Sequence, residues 1–265
     1  SMLPAEARYP ELSPTSRLIQ QALDVLAVDL NTPFDTDMAA ERLRAAADRP
    51  DATEEERALA EFLHAWCSWV RPIPDHARVR AAYERFLEAF PDSPYAVDAQ
   101  FILALSNAND PADPDYPRAA SWYEAVYADD PSGSLRALAA IALADLSYHR
   151  LNDPPGAATW YARAYEATEA THTLDERLGF LYLQGKMLEE IGAAEEAVRV
   201  YRRVLDEGEG GAGTWTDRVL DRLDALGVPP EKSYFTGLDT TPIPMTEHQF
   251  EPVAPTEISV SFWIL

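Results

Sequence analysis

Apolar residues recur along this chain at steps of three and four. That is the 3.6-residue period of a helix buried on one face, not the period of two that marks a strand. The period predicts helices over about 15–30, 36–49, 53–71, 75–90, 94–108, 117–129, 133–151, 155–170, 174–191, 193–207 and 214–226. Thr53 stands before Glu54, Glu55 and Glu56, an N-cap followed by acids on the positive helix end. Pro72 and Pro74 interrupt the chain before Asp75 opens the next helix. Phe90-Pro91-Asp92-Ser93-Pro94 closes one helix and starts another, and a longer loop holds Pro111, Pro114 and Pro117. Gly192 and Gly208 fall where helix C-caps are expected. Helices joined by short loops make this an all-α chain.

The helices repeat. A small residue, an aromatic four later and a small or β-branched residue three further on recur as Ala82-Phe86-Ala89, Ala119-Tyr123-Val126, Ala157-Tyr161-Ala164 and Ala197-Tyr201-Val204. In the first two, Pro94 and Pro131 follow five residues later. The intervals are 37 (82 to 119), 38 (119 to 157) and 40 (157 to 197) residues. Periods of this size mark stacked helical units. Positions i, i+4 and i+7 share one helix face, so small residues there let a neighbouring helix approach while the aromatic fills the gap.

These motifs resemble the tetratricopeptide repeat family. The clearest copy runs from Leu181 to Val204, where Gly185, Leu188, Gly192, Ala197 and Tyr201 match the family's spacing. Ala104 replaces the family's first-helix glycine in another copy, and the repeats exceed the usual length of roughly 34 residues. The likeness covers about 75–207 well and 15–71 weakly. It implies a right-handed α-solenoid of about five hairpins with a capping helix at 214–226, together spanning 1–227. The segment from Tyr83 to Phe101 also resembles envelope tetratricopeptide proteins of Gram-negative bacteria, of the outer-membrane assembly lipoprotein and Tol–Pal coordinator types. In this family ligands bind a concave face built from first helices. The register places Asp98, Phe101 and Leu105 of one repeat, and Tyr182, Lys186 and Glu189 of another, toward that face.

Lys and Arg number 22 and Asp and Glu 45, giving a net charge of −23. Such a chain is repelled by nucleic acid and by anionic membrane surfaces. Lys186 and Lys232 are its only lysines. A GC-rich genome with an acidic solvated surface accounts for this composition, and so does a salt-adapted host. One cysteine, Cys67, excludes an intrachain disulfide, and no apolar run is long enough for a membrane span. Ser1-Met2-Leu3-Pro4 is no signal peptide, and Ser1 before Met2 looks like the scar of a removed tag. If a targeting segment was removed with it, the expected location is the periplasm or cell envelope; otherwise it is the cytoplasm.

Candidate chemistry is sparse. His64, His76, His149, His172 and His248 form no metal-ligand spacing, and no HExxH occurs. His64 and Cys67, three apart, make an incomplete metal site, and a core thiol is the commoner role. Glu189-Glu190 and Glu195-Glu196 read as solvated surface, and the glycines of 208–213 follow a helix and lack a Walker lysine. No nucleophile elbow occurs. Phe62, Trp66 and Trp69 share a helical face, and Trp122-Tyr123 and Trp160-Tyr161 repeat one dipeptide. At helical spacing these aromatics are read as packing between repeats. The expectation is therefore a protein without catalysis, cofactor or metal.

After Gly227 the composition changes. Six prolines between 229 and 255 exclude a helix, and then Ile258, Val260, Phe262 and Ile264 alternate with Glu257, Ser259, Ser261 and Trp263. This proline-rich arm, 228–265, ends in a strand-like segment. Ile258, Val260, Phe262, Trp263, Ile264 and Leu265 are read as a docking tail that packs on its own solenoid, joins copies into a homo-oligomer, or adds to a partner. The sequence supports an interaction scaffold that holds a peptide or protein segment in a concave groove. The competing reading is a structural subunit of an envelope or secretion assembly, held by its convex face and tail.

Overall fold

The computed structural model describes residues 12–26, 33–71, 73–130, 133–208 and 214–228. Among them the chain forms helices only: α1 (Pro14–Leu26), α2 (Pro33–Ala47), α3 (Glu54–Trp69), α4 (His76–Ala89), α5 (Ala96–Asn109), α6 (Tyr116–Asp129), α7 (Ser134–His149), α8 (Pro154–Ala167), α9 (Leu174–Glu190), α10 (Ala194–Glu207) and α11 (Thr216–Ala225). The strand-like segment, Ile258 to Leu265, and the arm from 229 onward lie outside the described residues.

Helix caps act through specific bonds, at the predicted Thr53 and Asp75 and at positions the sequence reading did not name. Thr53 and Glu56 form a reciprocal capping box on α3, and Thr173 and Glu176 do the same on α9. Three second helices of the first unit share another device. Asp75, Asp115 and Asp153 each accept a backbone N–H three residues on, at 3.0, 3.0 and 3.1 Å, opening α4, α6 and α8. Gly192 ends α9 in the left-handed region at φ 78°, where a side chain would be strained. Gly208 caps α10 with an ordinary φ of −76°.

Two compact units divide the chain, with the break between His172 and Thr173. The sequence reading made one solenoid of 1–227; the described helices group as α1–α8 and α9–α11. In the first unit each helix packs on the next, and α1 also meets α3 and α5 meets α7. In the second, α9 packs on α10 and α10 on α11. Consecutive packing of helical hairpins is the architecture of a repeat fold.

The structure corrects the register of one repeat. Tyr123, Tyr161 and Tyr201 each sit eighth in the second helix of a hairpin, and the eighth residue of α4 is Tyr83, not Phe86. Val79, Tyr83 and Phe86 are 0, 0 and 3% exposed, whereas Ala82 is half-buried and Ala89 exposed. The intervals become 40 (79 to 119), 38 (119 to 157) and 40 (157 to 197) residues. Val79 occupies the position that the sequence pattern reserved for a small side chain.

The aromatics are packing, as their spacing implied. Phe62 meets Tyr83, Phe86 and Tyr95 with ring centroids 5.4, 5.7 and 5.4 Å apart. Trp66, Trp69 and Trp122 lie against the same cluster. Trp160 stands edge-on to Tyr127 at 5.2 Å, joining α8 to α6.

Candidate functional site

The candidate residues lie on two first helices that belong to different units, and each group is described within its own. On α5, Asp98 falls in the first turn, Phe101 one turn later and Leu105 one turn further. Phe101 and Leu105 are only 6 and 7% exposed, and the Phe101 ring stands edge-on to Tyr123 of α6 at 5.8 Å. These two side chains are part of the packing and, as placed, offer little surface to a partner. A first helix flanked by neighbours on several sides buries positions that a single concave stripe would have left open.

Asp98 is different. It is half-buried, and its Oδ1 is buried without a hydrogen-bond partner among the described residues. Burial pushes its carboxyl up to about 6, against the bond from its own backbone N–H, and the charge of Asp130 adds to the rise. Tyr83 of α4 lies close enough for the Asp98 charge to act on it. Its ring is wholly buried and its hydroxyl also lacks a partner among the described residues.

On α9, Tyr182 is half-buried between Tyr201 of α10 and Trp215, with centroids 6.0 and 5.2 Å away. Lys186, one turn on, is exposed. Glu189 is not the solvated carboxylate the sequence suggested. Arg222 of α11 donates to it through Nε at 2.9 Å and again through Nη2, and the Tyr201 hydroxyl donates to the same carboxylate. Burial pushes the Glu189 carboxyl up, but these donors and the positive charge of Arg222 and Lys186 outweigh it and hold the group below its ordinary range. Glu189 thus ties three helices of the second unit together. Gly185 makes this possible: a Cβ there would stand 2.4 Å from Cε1 of Tyr201.

Similar tyrosine–polar pairs recur. Tyr161 donates to Asp145 at 2.9 Å, again from a second helix to the first helix of its hairpin. Sequence reasoning missed Asp145, Arg222 and the lone hydroxyl of Tyr83. The signal for Tyr83 was its place in the tyrosine register. Arg222 carried none, because it lies outside the repeats.

Cys67 is 2% exposed in a cluster of α1, α2 and α3, and burial pushes its thiol up to about 12. His64 is half-buried, and burial lowers its pKa first, with nearby arginines adding to that. Among the described residues no three His, Cys, Asp or Glu side chains are grouped to hold a metal ion, and no helix is long and apolar enough to cross a membrane.

Comparison with known proteins places the fold. The chain matches the crystal structure of the apo form of RapI at 15% identity and a TM-score of 0.51, over 80% of this chain and 72% of that one. A second match, BtubC (BKLC) from P. vanneervenii, has 14% identity and a TM-score of 0.36 over 91 and 100% of the two chains, too distant to carry an argument. No protein-family model matches the chain, and no curated protein sequence matches it significantly. At 15% identity the first likeness concerns the fold alone. Together with the hairpin packing and the tyrosine register, it gives this chain a tetratricopeptide-like helical-repeat fold.

Proposed function

We propose that this protein is a non-enzymatic interaction scaffold that binds a peptide or protein segment on faces built from its first helices. The repeat itself carries the reading. Four hairpins bury one Val/Ala–Tyr–Phe/Val/Ala face of the second helix. Stacking of this kind creates extended surfaces for a chain-like partner. Asp98, Tyr182 and Lys186, on α5 and α9, remain the best-placed contacts, since each is at least partly exposed. The likeness of Tyr83 to Phe101 to envelope proteins supports a cell-envelope location, which fractionation of cells expressing the natural gene would test.

Selection of a random peptide library against the full chain tests the scaffold reading. It predicts recovered sequences with a shared motif and saturable, micromolar binding by fluorescence anisotropy. Failure to enrich any motif would contradict it. Repeating the titration without residues 229–265 separates groove from tail: binding by the repeats survives the deletion, and binding by the tail does not.

A further inference from the structure

We infer that α8 carries a second interaction surface, apart from the first-helix faces: the guanidinium of Arg163 on an aromatic base, which takes a carboxylate side chain, Asp or Glu, of a protein partner. Arg163 is exposed, and its Cζ lies 4.3 Å from the centre of the Trp160 ring and 5.6 Å from that of Tyr127 on α6. Those two rings stand edge-on at 5.2 Å and Trp160 is 9% exposed, so the base is fixed packing between α6 and α8. A guanidinium over a ring uses its face for that contact, while its five N–H donors lie in its own plane and stay available. Among the described residues none of these donors meets an acceptor, and no carboxylate pairs with Arg163. Arg49, Arg80, Arg118 and Arg199 differ: each pairs with a carboxylate, at 2.8, 2.9, 2.5 and 2.9 Å.

A second cation reinforces the site. Arg136 of α7 lies over the same Tyr127 ring at 5.9 Å, so two positive charges share one ring. Its Nε donates to the Tyr127 carbonyl at 3.0 Å and its Nη2 to the Asp130 carbonyl at 2.8 Å, which fix it there. The acids at the end of α6 have other partners: Asp130 Oδ2 accepts the Arg136 backbone N–H at 2.9 Å, and Asp129 Oδ2 accepts from Gln100 at 3.4 Å. The occupant follows from charge and shape. A planar fork held on a ring matches a carboxylate, which accepts two parallel N–H bonds from it. The net charge of −23 does not bar an acidic partner, because exposed charges are screened beyond about 8 Å at about 0.15 M salt. Contact by side-chain edges leaves the backbone N–H groups of α6 and α8, bonded within their helices, as they are.

The test uses the full chain and fluorescein-labelled Gly-Ser-Glu repeat peptides, with Gly-Ser-Gln and Gly-Ser-phosphoserine counterparts, near neutral pH and about 0.15 M salt. The glutamate peptide should bind at least about tenfold more tightly than the uncharged glutamine peptide. Arg163→Gln should remove most of that difference. Arg163→Lys should remove much of it too, because lysine keeps the charge and loses the fork. Arg199→Gln, the same charge change at an exposed site on α10, should leave it nearly intact. Arg163 is exposed, so both of its variants should melt close to wild type, and a thermal melt of each keeps lost binding apart from lost folding. Equal affinity for the glutamate and glutamine peptides, or equal losses for Arg163→Gln and Arg199→Gln, would overturn the site. Full binding by Arg163→Lys would show a point charge and overturn the fork. Tighter binding of the phosphoserine peptide than of the glutamate peptide would overturn the carboxylate assignment. A library-selected peptide bound by the first helices should bind together with the glutamate peptide; competition between them would overturn a separate surface. Failure of the glutamate peptide alone would leave the scaffold reading standing.

Discussion

Tyr201 and Gly185 show how little freedom a single position has in this fold. The Tyr201 ring occupies the space that a Cβ on residue 185 would need. Gly185→Ala should therefore destabilise the second unit by about 1–3 kcal/mol through overpacking, despite alanine's better helix propensity. Urea denaturation followed by circular dichroism checks this, and an unchanged midpoint would contradict the packing. The two tyrosine hydroxyls predict opposite outcomes. Tyr201→Phe removes a bond to the Glu189 carboxylate and should cost about 1–3 kcal/mol. Tyr83→Phe removes a hydroxyl that has no partner among the described residues and should be neutral or mildly stabilising. At this scale the sequence was legible where chemistry repeats, as in Ala119-Tyr123-Val126, Ala157-Tyr161-Ala164 and Ala197-Tyr201-Val204. It misled where the first position broke the small-residue rule, because Val79 fills the gap as well as alanine does and Phe86 fits either register. Phe101 and Leu105 could not be separated from Asp98 by pattern alone. All three share a stripe of α5, and only the neighbouring helices decide which are covered.

The helices were the most readable scale. Each predicted helix overlaps an observed one among the described residues, and Thr53 and Asp75 cap as their positions implied. What the sequence did not disclose is how elements are tied across distance. Glu56 caps α3 and also accepts from the hydroxyls of Ser13, just before α1, and Ser16 within it, the latter at 2.6 Å. Those hydroxyls and the Thr53 N–H hold its carboxyl down to about 2, from an ordinary value of 4.5. A carboxyl depressed on folding stabilises the protein fully above its unfolded value, and the gain disappears as pH falls through the folded one. Melting temperature should thus fall between about pH 4.5 and 2, and Glu56→Gln should flatten that limb while lowering stability at neutral pH. A variant with the wild-type acid profile would remove Glu56 from the account. Loss of the aspartate caps should act more uniformly: Asp115→Ala should cost about 1 kcal/mol at neutral pH.

For the whole molecule, charge and repetition dominate. With −23 net charge, melting temperature should rise with added salt as self-repulsion is screened. Ordinary screening levels off by about 0.2 M, where the Debye length is already under about 10 Å; a continued rise into molar salt would mark a salt-adapted protein. No dependence on salt would mean that the carboxylates are already compensated. The repeat fold was legible in the sequence because stacked hairpins reuse one packing solution, while the partner was not, because contacts to a partner leave no period. Amide hydrogen exchange on the full chain, with and without a library-selected peptide, tests the central claim most directly. The account predicts new protection on the first helices, at Asp98 on α5 or Tyr182 and Lys186 on α9, with α6, α8 and α10 unchanged. Protection confined to those second helices, or no peptide that binds at all, would contradict it.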